Sequence, residues 1–216
     1  VDIRTASGGT TFRIMEEGAD RGRFSLSVGG THNLLNTLGA AAAARHLGAS
    51  WSEIRHGLMA FRGVSRRFEH LGASGGVTAV DDYAHHPTEI RAALQAMRES
   101  FPGQRLVAVF QPHLYSRTRD FSDDFGAALA GADIVWVTDV FPAREAPIPG
   151  VTGELVADAA RDAGAGDVRY HPIIEDLAAA LADTLDEGDL LVTLGAGSVG
   201  SVGRDVLQLL EARVHA

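Results

Sequence analysis

The chain of 216 residues contains no cysteine. A disulfide framework, a thiolate metal site and a thiol nucleophile are therefore excluded, and the absence fits a cytoplasmic protein. No apolar run reaches transmembrane length, and the N-terminus lacks the basic-then-apolar pattern of a signal peptide, so nothing points to a membrane. Blocks of like charge are missing too. The formal net charge of −9 is spread along the chain, which argues against a nucleic-acid or anionic-lipid surface. The phosphate-cradling loop G-x-x-x-x-G-K-[ST] is absent. The chain opens mid-pattern at Val1 rather than at a methionine, so a fragment of a longer protein is expected.

What is present is 45% apolar, enough for a globular core. Thr10–Ile14 and Arg23–Val28 alternate apolar and polar residues around a glycine-containing loop, the pattern of an antiparallel hairpin. Leu34, Leu38, Ala41 and Ala42 then recur at helical spacing up to Gly48, a helix-ending residue. Ser50-Trp51-Ser52-Glu53 is a capping box ahead of a short helix through Phe61. A polar, glycine-rich passage follows, and a domain boundary is expected near 71–76. From Val77 short apolar runs (77–80, 106–110, 134–137, 168–170, 190–194) alternate with helical patterns (87–99, 120–130, 153–162, 174–185, 199–212). Strands apolar on both faces and alternating with helices predict a doubly wound, mostly parallel sheet in an α/β, Rossmann-like domain.

In such a sheet, ligands bind beyond the carboxyl ends of the strands. Ionisable residues collect there: Asp81, Asp82, Tyr83, His85 and His86 after the first run, and Gln111, His113, Tyr115, Arg117 and Arg119 after the second. Asp139, Arg144 and Glu145 follow the third. The stretch Val80–Leu94, VDDYAHHPTEIRAAL, is the densest, and Pro87 is well placed to start its helix. Each cluster has a plain structural alternative. Adjacent histidines point apart unless the loop curls, so one solvated and one packed histidine is expected over a metal pair. Arg117 and Arg119 precede the helix predicted at 120–130. Cations there oppose the macrodipole, which favours an anionic partner over a bare surface face. The prolines of FPAREAPIPG stiffen a long loop.

Gly195-Ala196-Gly197-Ser198-Val199-Gly200 matches the dinucleotide fingerprint G-x-G-x-x-G, but on the last strand instead of the first and with no room for a following strand. A tight strand-to-helix turn is the better reading. In the first segment, Asn33 is either a helix cap or, with Asn36 one turn on, part of a surface that reads a purine edge or ribose.

In order, GGTHNLLNTLGAAAAA, FRGVSRRFEHLG, VDDYAHHPTEI, VFQPHLYSRTRDF, DVFPAREAPIPGV and LVTLGAGSVG make the chain resemble the Mur ligases of peptidoglycan synthesis across essentially its whole length. The match is best to the branch that joins L-alanine to UDP-N-acetylmuramate. The branch that recycles murein tripeptide shares DD-aromatic-AHHPT but matches less well at QPHLYSRT and PAREAPIPG. The resemblance implies that residues 1–72 are the tail of a central ATP-binding domain and 73–216 a complete C-terminal, amino-acid-binding domain. It implies ATP as co-substrate and magnesium, with the magnesium ligands and phosphate loop in the missing part, so that this stretch alone is inactive. The implied reaction phosphorylates the lactyl carboxylate, and the alanine amine then displaces phosphate from the acyl phosphate. By motif, His32, Asn33, Asn36, Arg67 and Asp82 face ATP, Tyr83, His85 and Arg117 line the alanine site, and His85 and Arg117 carry the catalytic roles. Leu114 stands where many members have arginine, which leaves Arg117 as the cation for the alanine carboxylate. A non-catalytic nucleotide-binding module using GAGSVG is the alternative from another class.

Overall fold

Two sheets organise the described residues. The computed structural model describes residues 1–6 and 9–214, without the side chains of Ala6 and His32. The chain divides into two compact units, Val1–Val64 with Gln95–Pro102, and Ser65–Leu94 with Gly103–Ala216.

In the first unit, β1 (Arg4–Ala6), β2 (Gly9–Glu16) and β3 (Ala19–Leu26) form an antiparallel sheet in that order. The predicted hairpin is β2–β3, with Phe12 opposite Phe24 and a bulge between Arg13 and Met15. Alternation puts Phe12, Ile14, Phe24 and Leu26 on one buried face. That face packs with Leu34 and Ala41 of α1 (Thr31–His46) and Ile54 of α2 (Trp51–Ala60). The capping box forms as read: the Ser50 hydroxyl accepts the Glu53 N–H while the Glu53 carboxylate accepts the Ser50 N–H.

In the second unit, β4 (Glu69–Ser74), β5 (Val77–Asp82), β6 (Arg105–Phe110), β7 (Ile134–Val137), β8 (Asp167–Tyr170) and β9 (Asp189–Leu194) make one sheet ordered β4-β5-β9-β6-β7-β8. All neighbours are parallel except the β4–β5 pair. Strand β4 crosses the passage where a domain boundary was expected, and its weak strand chemistry is compensated by pairing along β5. The doubly wound, mostly parallel architecture is as predicted.

The remaining helices are α3 (Pro87–Ser100), α4 (Tyr115–Asp120), α5 (Ser122–Leu129), α6 (Gly153–Asp162), α7 (Ile174–Ala182) and α8 (Val202–Val214). Val77, Ala79, Val107, Val109 and Leu191 pack under Leu177 and Leu181 of α7 and Val206 and Leu210 of α8. The alternate residues Leu106, Ala108 and Phe110 face the other way and are also buried, with Phe110 on Phe125 of α5. Burial on both faces explains why these strands read as continuous apolar runs. One helix expectation is corrected. The helix expected at 120–130 is α5, starting at Ser122, and an unexpected short helix, α4, precedes it from Tyr115 and ends at Asp120, before Phe121. Among the described residues no helix is long and apolar enough to cross a membrane.

Candidate functional site

The strand order sets the site. Strand β9 returns between β5 and β6, so the loops leaving these three neighbouring strands open at one carboxyl rim. Cross-loop hydrogen bonds knit the rim. Gly195 N–H donates to the Asp82 carbonyl at 3.2 Å and Gln111 N–H to the Leu194 carbonyl at 3.0 Å.

Arg66 is the keystone of this rim. Its Nε donates to Asp81 at 2.9 Å, and its terminal nitrogens donate to the carbonyls of Gly195 at 2.6 Å and Gly197 at 3.2 Å. Its guanidinium lies 5.1 Å from the centroid of the Tyr83 ring, and its own carbonyl accepts the Tyr83 N–H at 2.6 Å. Asp81 is fully buried, and its second oxygen accepts the Thr193 hydroxyl at 2.6 Å. One cation thus joins the end of β5 to the glycine turn after β9.

That arrangement decides how GAGSVG is used. Its carbonyls go to Arg66, and the Val199 N–H donates to Gln111 Oε1 at 3.1 Å. A Cβ on Gly197 would lie 2.3 Å from Gln111 Oε1 and 2.6 Å from the Phe141 ring, and one on Gly200 would lie 2.7 Å from the Arg66 guanidinium. These glycines are required by packing within the rim, in keeping with the reading as a tight strand-to-helix turn.

Asp82 is buried, with one oxygen accepting the Phe68 N–H and the other the Ala84 N–H, each at 2.9 Å. It holds the backbone of Phe68 in a left-handed conformation, φ 51°. Arg67 is exposed, and its guanidinium lies 5.7 Å from the centroid of the Tyr83 ring. Tyr83 therefore sits among two cations and His85, whose ring centroid is 5.2 Å away. His85 Nδ1 is 3.0 Å from the Tyr83 carbonyl. A carbonyl can only accept, so Nδ1 is the donor in this contact.

His113 lies 5.9 Å from His85 and is stacked on Phe141 at 5.8 Å. Burial, then the neighbouring charges of Arg117 and His85, push the His113 pKa below its ordinary value. Arg117 donates to the His85 carbonyl at 3.4 Å. Tyr83, His85, His113 and Arg117 thus come together, and with them the predicted Tyr83–His85–Arg117 grouping. The two histidines diverge: His86 turns to Phe121 at 5.3 Å and its Nδ1 accepts the Thr88 N–H at the start of α3.

Arg117 and Arg119 lie in the last turn of α4, where cations suit the macrodipole, so the dipole gives no reason for an anionic partner. Arg119 pairs with Asp120 at 2.7 Å on the surface. In the first unit, Asn33 donates to the Gly29 carbonyl at 2.8 Å, and Asn36 is exposed one turn on. His32 belongs to α1, but its side chain lies outside the described residues. Among the described residues no cluster of three His, Asp or Glu could hold a metal ion.

Sequence reasoning missed Arg66 as the clamp, since the RR pair gives no sign of which arginine points inward. It placed Gln111 and Glu145 on the rim without a role.

Residues 66–197 match the Mur ligase glutamate ligase domain. The chain is 50% identical over 208 residues to a UDP-N-acetylmuramate–L-alanine ligase of Cutibacterium acnes, covering 96% of this chain and 44% of that protein. It is 44% identical to the enzyme of the same name from Salinibacter ruber, covering 97% of this chain and 44% of that protein. The crystal structure of UDP-N-acetylmuramate-alanine ligase from Thermotoga maritima superposes with a TM-score of 0.82 at 26% identity, covering 98% of this chain and 45% of that one. The chain therefore spans less than half the length of the curated relatives it matches.

Proposed function

The chain belongs to the Mur ligase family, and on that premise we propose that it is part of an ATP-dependent ligase joining L-alanine to UDP-N-acetylmuramate in cytoplasmic peptidoglycan synthesis. The observation that carries this reading is the convergence of Arg117, His85 and Tyr83 on the carboxyl rim. A guanidinium fork suits the carboxylate of an amino acid, and an imidazole acceptor beside it suits the amine. Relatives whose names state that reaction support the choice of substrates.

In this reading Arg117 pairs with the alanine carboxylate, and Tyr83 and His85 line the pocket. His85 Nε2 is the acceptor that keeps the amine unprotonated. The lactyl carboxylate attacks the γ-phosphorus of ATP and ADP leaves. The amine nitrogen then attacks the acyl phosphate carbon and inorganic phosphate leaves, forming the amide. The chain's contribution is mainly positioning and charge neutralisation. In the second unit Arg67 is the proposed nucleotide-facing residue, with buried Asp82 holding the backbone beside it through the Phe68 and Ala84 amides; within the first unit His32, Asn33 and Asn36 are the residues proposed for the nucleotide.

Magnesium does not fit the described residues, which offer no three-carboxylate or histidine cluster. Its ligands are proposed for the part of the protein beyond this chain, together with the phosphate loop. The chain alone is accordingly proposed to be inactive. Residues 1–72 are proposed as the end of the central ATP-binding domain and 73–216 as the amino-acid-binding domain; the compact units part slightly earlier, at Val64.

The test is alanine dependence in the full-length protein. Arg117→Ala is expected to raise the alanine requirement by roughly 10–100-fold, the cost of losing about 1.5–3 kcal/mol of charge-assisted hydrogen bonding. An unchanged requirement would sink the assignment.

A further inference from the structure

We propose that Glu145 is the positioning residue of the amino-acid site, locking the short helix that carries Arg117 onto the proline-rich loop after β7; this rests on the reading of Arg117 as the carboxylate partner. Helix α4 has six residues, too few to be stable alone, so its place is set by tertiary contacts. It starts from Leu114, whose φ of +70° is unfavourable for a side chain of this type. Something must hold this turn in place.

Two kinds of contact do so, and both come from the same loop. Leu114 N–H donates to the Phe141 carbonyl at 3.0 Å, and Phe141 N–H returns a bond to the Pro112 carbonyl at 2.8 Å. Glu145 supplies the rest. One carboxylate oxygen accepts the Ser116 N–H at 2.8 Å and the other accepts the Ser116 hydroxyl at 2.5 Å. A carboxylate there also complements the positive end of the helix. Glu145 is itself fixed by its N–H donating to the Pro142 carbonyl at 2.9 Å.

Arg117 is the next residue along. Its own tether, the 3.4 Å bond to the His85 carbonyl, is long and weak. The aim of its guanidinium therefore depends on where Glu145 holds the first turn. The Glu145 carboxyl is kept below its ordinary range, chiefly by the Ser116 hydroxyl, then by the Ser116 amide, with Arg117 adding to the effect. Glu145 stays anionic at working pH and makes no contact with substrate in this account. It acts through α4.

The test uses the full-length ligase, with separate titrations of L-alanine, ATP and UDP-N-acetylmuramate. Glu145→Ala is expected to raise the KM for L-alanine about tenfold or more, leaving kcat and the other two KM values within about threefold. Glu145→Gln keeps an oxygen for the Ser116 amide and is expected to recover most of the loss. Ser116→Ala, which removes only the hydroxyl contact, should shift the alanine KM the same way by about threefold.

Equal rises in all three KM values would mean a merely structural role and overturn the proposal. So would an unchanged alanine KM in Glu145→Ala while Arg117→Ala is severely impaired, a result that leaves the functional reading standing. Absence of alanine-dependent ADP formation by the wild type would overturn both.

Discussion

Replacing Arg66 with alanine is the sharpest perturbation of the rim. The guanidinium is three-quarters buried, its side chain 25% exposed, while that of Asp81 is 0% exposed. Removing it leaves the Asp81 carboxylate buried with the Thr193 hydroxyl as its remaining side-chain hydrogen bond among those described. Breaking a buried pair from one side costs about 3–5 kcal/mol, because the other charge is stranded. The Gly195 and Gly197 carbonyls lose their donor as well, but the space vacated by the side chain admits water, so their loss is secondary. For a unit of this size the expected fall in Tm is roughly 6–20 °C.

Denaturation followed by the fluorescence of Trp136, in a Trp51→Phe background, isolates the second unit, because each unit holds one of the two tryptophans. The double variant Arg66→Met with Asp81→Asn should cost clearly less than the sum of the single changes, with a coupling of about 1.5 kcal/mol or more. A loss below about 1 kcal/mol for Arg66→Ala, or strict additivity of the pair, would refute the clamp.

The other predictions concern the glycine turn and pH. Gly197→Val forces a side chain into Gln111 and Phe141 and should destabilise the second unit by about 1–3 kcal/mol. The wild type should show no saturable NAD binding; binding that Gly197→Val abolishes would instead favour a dinucleotide module. Glu69, Glu145 and Asp167 are held below the ordinary carboxylate range, first by the Arg66 amide, the Ser116 hydroxyl and the Arg169 guanidinium respectively. A depressed folded pKa stabilises fully above the unfolded value, near 4, and the contribution is lost as pH falls through the folded one. Urea midpoints should thus begin to fall only below about pH 4.5 from these groups. An acid fall left unchanged when all three are changed to their amides, or a fall near pH 6 that those changes remove, would contradict the assignment.

The parallel strands were legible because a strand buried on both faces has to be apolar throughout: the run expected at 134–137 is β7, and that at 190–194 differs from β9 by one residue. Strand β4, reading EHLGAS, carries no such pattern and exists through its pairing with β5. Helix α4, reading YSRTRD, lacks apolar periodicity and depends on a left-handed leucine, so it was left outside the helix expected at 120–130. The rim of ionisable groups followed from what comes after each expected parallel strand, and Tyr83, His85 and Arg117 do meet there. What the sequence left hidden was the choice between neighbours. Arg66, left-handed at φ 60°, turns onto Asp81 and the glycine turn, while Arg67 stays exposed. Nothing in the letters RR distinguishes them.

The proposed reaction is read out by ADP release from the full-length protein given magnesium ATP, with UDP-N-acetylmuramate and L-alanine added singly and together. The account predicts sustained ADP release with a matching amount of UDP-N-acetylmuramoyl-L-alanine only when both are present. ADP release indifferent to either substrate, or none with both, would contradict it.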